Sequence, residues 1–154
     1  MNEAVLAGAL AVAALNLLPA LAGGLAFWRA DAAGLAARVF WPLLRVGQGS
    51  ALTLAIAVGS LAAAGKRSSS DLFYLYALLP LVIAFVAEQL RAISAQTVLD
   101  RRELEGSAAV AALPESEQRV LVAAILQRET GVMAASALVV VFLALRAAGT
   151  AHGF

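Results

Sequence analysis

Charged residues fall in a few short stretches of this chain, and between them run long segments dominated by apolar side chains. Residues 4–28 carry no ionisable group at all, against the roughly 20 residues a helix needs to cross about 30 Å of hydrocarbon. A second run covers residues 39–65, with Arg45 and Gln48 near its start, and a third covers 72–93, with Glu88 and Arg91 in its last turns. The fourth is shorter. Gly131 to Leu145 is uncharged, and the pattern predicts a crossing over residues 130–146 if Glu129 and Thr130 enter the interface and Arg146 snorkels. A re-entrant or interface helix is the competing reading of this last run. Together the runs predict an all-α, integral membrane four-helix up-down bundle, a single domain over residues 1–154.

The connections refine this outline. Arg29, Asp31 and Arg38 lie in the first linker, flanked by Trp28 and Trp41, which suits an aromatic belt at a membrane interface. Lys66-Arg67-Ser68-Ser69-Ser70-Asp71 reads as a compact polar turn, with Ser70 or Asp71 capping a helix that begins at Leu72. Phe73, Tyr74 and Tyr76 at that helix start suit an interface as well. Residues 94–113 read as a polar loop, partly helical or not but without a core of its own, containing Asp100, Arg101, Arg102, Glu103 and Glu105. Pro114, with Glu115 and Glu117 behind it, predicts a helix start with Pro114 at the first position, because proline there loses no needed N–H and acids favour the positive dipole end. An amphipathic helix over 114–129 then leads into the last span. Within the spans, Asn16 precedes Pro19, and Pro80 sits mid-way along the third run; Asn16 is expected to bond to the backbone loosened by proline or to a neighbouring helix, the alternative being that the two kinked helices line a small cavity. A secretory signal is the rival reading of the first run, but Glu3 is acidic where a signal is basic.

Composition changes the picture mainly by exclusion. The chain is 62% hydrophobic and 14% charged, and its net charge of +1 gives no basic surface for nucleic acid. With no cysteine, disulfides, thiolate metal sites and thiol nucleophiles are ruled out. The single histidine, His152, reads as part of a frayed tail, and two-histidine haem ligation within the chain is excluded. Asp100, Glu103 and Glu105 alternate with arginines and read as a solvated face rather than a cation site. No phosphate-binding glycine loop, His-Glu-x-x-His or Ser/His/Asp set occurs, and no internal repeat stands out. Neither an enzyme nor a bound cofactor or metal is expected.

Lys and Arg are distributed unevenly between the two ends of such a bundle. Arg29, Arg38, Arg45, Arg91, Arg101, Arg102, Arg119 and Arg128 fall at the end with the long loop, whereas Lys66, Arg67 and Arg146 fall at the other. The positive-inside rule then places the long loop in the cytoplasm and both termini outside. Heavy use of Ala and Arg points to a GC-rich bacterium, and so to its cytoplasmic (inner) membrane.

Two constellations are candidates for function. Arg45, Glu88, Arg91, Arg128 and Glu129 fall at one depth near the cytoplasmic ends of spans two, three and four, with Glu88 and Arg45 the expected partners. These five either anchor helix ends at headgroup level, form a proton, ion or anion site, or dock another subunit. The second constellation is a stripe of small residues at four-residue spacing along span two, Gly47, Ala51, Ala55, Gly59 and Ala63. Small residues let helix backbones approach closely in lipid, so the stripe predicts packing within the bundle or a seam between copies.

Entering span two, Arg38-Val39-Phe40-Trp41-Pro42-Leu43-Leu44-Arg45 resembles the corresponding stretch of the bacterial four-helix membrane family related to transmembrane protein 205. Where the family pattern has a histidine at the start of the last span, this chain has Gln127-Arg128-Glu129-Thr130-Gly131. The resemblance implies a small four-helix membrane protein and supplies no catalytic residue. The expected partners are the lipid bilayer and other membrane subunits or a second copy of the chain. A small transporter or channel using the charged cluster is the alternative.

Overall fold

The computed structural model describes residues 2–30, 34–102, 104 and 106–151, with Gly106 and Ser107 described in backbone only. Asp31, Glu103, Glu105 and His152 lie outside the described residues. Five helices and no strand occur among those that are described: α1 (Asn2–Arg29), α2 (Leu35–Ala63), α3 (Asp71–Asp100), α4 (Gly106–Ala111) and α5 (Glu115–Thr150). All but α4 are long and apolar enough to cross a membrane. At about 1.5 Å per residue even α1, with 28 residues, is about 42 Å long. Large apolar side chains point outward from each of the four, among them Leu21 (63% exposed), Ile56 (61%), Phe85 (67%) and Phe142 (61%).

Sequential long helices run antiparallel. Gly8 faces Leu54 and Gly23 faces Phe40 across α1 and α2, and the ion pairs described below match α2 to α3 and α3 to α5 in the same sense. In cross-section α5 packs along both α1 and α3, α2 packs along α1, and a sparser α2–α3 contact closes the ring. Its interior is filled by stacked apolar clusters. Phe73, Ala77 and Val58 meet Val5, Ala9 and Ala147 near the termini. Val12, Ala13 and Ala51 meet Val140, Val141 and Ala144 in the middle. Phe40, Leu44 and Ala87 meet Met133, Ala134 and Ala137 near the loop end.

Alanine and glycine set how close the helices come. At Gly23 an added Cβ would lie 2.5 Å from the Phe40 ring and 2.8 Å from the Ala134 Cβ, so α1, α2 and α5 converge on a spot with no room for a methyl group.

The small-residue stripe holds for only part of its expected length. Gly47, Ala51 and Ala55 are buried, but Gly59 and Ala63 are exposed. The reason is helical pitch: a four-residue step advances the face by about 40° on a 3.6-residue helix, so Gly59 is turned about 120° from Gly47. The seam instead passes to Val58, which is buried and lies about 20° from Gly47.

Helix ends also depart from the hydropathy boundaries. α2 begins at Leu35 rather than 39, and α3 continues to Asp100, so part of the expected 94–113 loop is helix. Hydropathy marks where lipid-compatible composition ends, which need not be where the helix ends. The helix expected at Leu72 begins at Asp71, and neither Asp71 nor Ser70 supplies a side-chain cap. The turn before it is held differently, with Ser68 N–H donating to the Tyr74 hydroxyl and Ser70 N–H to the Ser68 hydroxyl. Pro114 takes the cap position, just outside the helix, and its carbonyl accepts from the N–H groups of Glu117 and Gln118. The side chain of Gln118 in turn donates to the Leu113 carbonyl, 2.8 Å away. The amphipathic stretch and the last span are one continuous helix, α5.

Candidate functional site

The polar side chains near the loop end of the bundle meet because three helices reach that depth together. Arg45 stands three turns into α2, Glu88 and Arg91 lie one turn apart on α3, and Glu129 lies on the antiparallel α5. Arg45 Nη1 is 2.6 Å from Glu88 Oε1, and Arg91 Nε is 3.1 Å from Glu88 Oε2, so the two oxygens of one carboxylate each take an arginine. Arg91 Nη1 is also 4.0 Å from Glu129 Oε2. The result is an alternating row, Arg45, Glu88, Arg91, Glu129, in which two positive and two negative charges balance while tying α2 to α3 and α3 to α5. Glu88 is the hinge of the row, at 28% side-chain exposure against 53% for Arg45.

Gln48 and Trp41 complete this site, beyond the five residues that the sequence places in it. The Gln48 side-chain oxygen accepts from Arg45 Nη1 at 2.7 Å, and its amide lies 3.5 Å from Glu88 Oε1. The Arg91 guanidinium lies 5.5 Å from the centre of the Trp41 ring, within cation–π range. Trp41 also meets Phe40 edge-on, so it lies within the bundle's end rather than simply floating in an aromatic belt. Their spacing was the available signal: Trp41 is four residues before Arg45 and Gln48 three after, which puts all three on one helix face. At the opposite end, Arg146 stacks over Tyr76 at 5.6 Å, and Phe73, expected at an interface, is fully buried.

Arg128 does not join the row. It is one position from Glu129 and so turned about 100° around α5, where it lines a groove between α1 and α5 with Phe27 and Gly131. This groove has a volume of about 600 Å³. Another, of about 480 Å³, lies between α1 and α2 near the termini and is lined by residues such as Gly8, Ala11, Thr53 and Ala57.

Asn16, the most buried polar side chain described, sits between the row and the termini. Its amide donates to the Val12 carbonyl at 2.9 Å and to the Gly47 carbonyl of α2 at 3.1 Å. The expected bond to a neighbouring helix is present. The carbonyl it takes on its own helix is that of Val12, not that of Leu15, which Pro19 leaves without its helical donor.

Chemically, the row is a set of matched charges, and it fits a clasp between helices. Among the described residues no cluster of three or more acidic or histidine side chains is placed to hold a metal ion. No family model, curated protein or solved structure matches the chain.

Proposed function

We propose that this chain is a multi-pass membrane protein that works as a packing and assembly element, through contacts between its helices and those of other subunits or of a second copy. The observation that carries this reading is the contrast between inside and outside. Arg45, Glu88, Arg91 and Glu129 are matched within the row, Arg128 stands apart in the outer α1–α5 groove, and the interior beyond the row is filled by apolar clusters. All four long helices, meanwhile, turn large apolar side chains outward. An unpaired carboxylate or a polar lane through the core would favour a conduit; the packing favours a scaffold.

The outward Gly59 and Ala63 of α2 support an external seam, since an added Cβ at Gly59 meets nothing within 4 Å. The segment resembling the family related to transmembrane protein 205 fits the same reading. It delivers Phe40 and Leu44 to the core, and Trp41 and Arg45 to the charged row. In this proposal the arginine-rich end, with α4, faces the cytoplasm of a bacterium and both termini face outward.

Membrane fractionation with reporters inserted at Leu113 and fused at the C-terminus tests placement: the first should be cytoplasmic and the second external. Native mass spectrometry after extraction in mild detergent tests assembly. Only monomer, together with an ion flux in proteoliposomes that Glu88→Gln abolishes, would replace this reading with a transporter.

A further inference from the structure

The α1–α5 groove combines two features that the α1–α2 groove does not. Both are predominantly apolar, but the α1–α5 groove has a guanidinium, that of Arg128, at its loop end, while no charged side chain lines the other. Arg45, Arg91 and Arg119 are each paired with a glutamate. Among the described residues Arg128 has neither an ion pair nor a hydrogen bond, so its charge is uncompensated there.

Below Arg128 the trough runs past Gly131 and Ala135 to Leu138. Ten residues of helix make that about 15 Å. The opposite wall includes Gly24, where an added Cβ would touch nothing, so the missing side chain leaves the space open. A cation at the head of an apolar trough matches an amphiphile with an anionic head and a hydrocarbon tail. An apolar protein helix matches it poorly, because it would desolvate Arg128 without supplying a counter-charge, and a two-fold related second copy of this groove would bring a second Arg128 and no acid into the same interface.

We propose that this groove binds an anionic phospholipid, with Arg128 at the phosphate and an acyl chain lying along Gly24, Ala135 and Leu138. The inference rests on the membrane reading above. Basic side chains between helices near the cytoplasmic face are suited to anionic headgroups, and a single arginine there is worth about a fivefold preference.

The test uses the full chain extracted in mild detergent, with native mass spectrometry counting retained lipid during titration with dioleoylphosphatidylglycerol or dioleoylphosphatidylcholine. The wild type should retain the anionic lipid about fivefold better. Arg128→Gln should bring the two lipids to parity, and Arg128→Lys, which keeps the charge, should keep the preference. Ala135→Phe, which fills the trough, should lower retention of both. Arg119→Gln, which removes an arginine from the same helix outside the groove, should change nothing. An unaltered preference in Arg128→Gln, an equal loss in Arg119→Gln, or displacement of the lipid by inorganic phosphate would overturn the site. Failure of the membrane reading shows separately, as a chain that does not sediment with membranes before any detergent is added.

Discussion

The side-chain amide of Asn16 donates to the carbonyl oxygen of Gly47, joining α1 to α2 at a point where Asn16 is only 1% exposed. The bond exists because position 47 has no side chain. A Cβ there would sit 2.7 Å from the Asn16 Oδ1, which has little room to retreat.

Gly47→Ala should therefore destabilise the bundle by about 1–3 kcal/mol despite alanine's better helix propensity. Asn16→Leu should cost about 0.6–2 kcal/mol through the lost interhelical bond. Melting in detergent measures both, and the two losses should combine non-additively because the residues touch. A Gly47→Ala protein that melts at or above the wild-type temperature would contradict the close approach.

Adjacent glycines in α1 give a sharper contrast. Gly23→Ala would drive a methyl group into the Phe40 ring and should cost about 1–3 kcal/mol. Gly24→Ala meets nothing and should be neutral or stabilising by up to about 1 kcal/mol, through helix propensity alone. Equal melting temperatures for the two variants would mean that α1 is rotated from the orientation described.

In the charged row, Glu88→Gln should cost more than Arg45→Gln, because Glu88 serves two arginines and Arg45 is half exposed. A loss of about 1–3 kcal/mol for Glu88→Gln falls between the values for exposed and buried ion pairs. The double variant should lose less than the sum of the single ones; additive losses would show that the pair contributes nothing.

On α2, Ala55→Leu and Gly59→Leu should separate two kinds of contact. Ala55 is buried, so added bulk there should lower the melting temperature of the monomer, by about 1–3 kcal/mol in stability. Gly59 faces outward, so leucine there should leave monomer stability unchanged and reduce association, read as oligomer size in mild detergent. Unchanged oligomer size in Gly59→Leu would remove α2's outer face from the proposed seam.

The sequence was informative about positions along each helix and much less so about rotation around it. The short turn between the second and third runs and the fixed rise of a helix match Arg45 and Glu88 in depth. Rotation requires an inner face chemically unlike the outer one, and in an alanine-rich chain whose outward side chains are largely apolar too the two faces read alike. A strict four-residue step therefore carries the stripe off the seam by Gly59 and Ala63, and position along the chain alone groups Arg128 with Glu129 although it faces another groove. Residue type alone places Trp41 at an interface, while its spacing from Arg45 holds the better clue.

Prolines lie inside α1, α2 and α3, at Pro19, Pro42 and Pro80, whereas α5 has none in its 36 residues. At about 1.5 Å per residue α5 is about 54 Å long, well beyond the roughly 30 Å of a hydrocarbon layer. It is also the helix that both α1 and α3 lean on. Mechanically this makes α5 a mast: a load applied near Glu115 is carried as tilt or thrust along an unbroken rod, while the proline-bearing α1 and α3 that flank it can flex as stays.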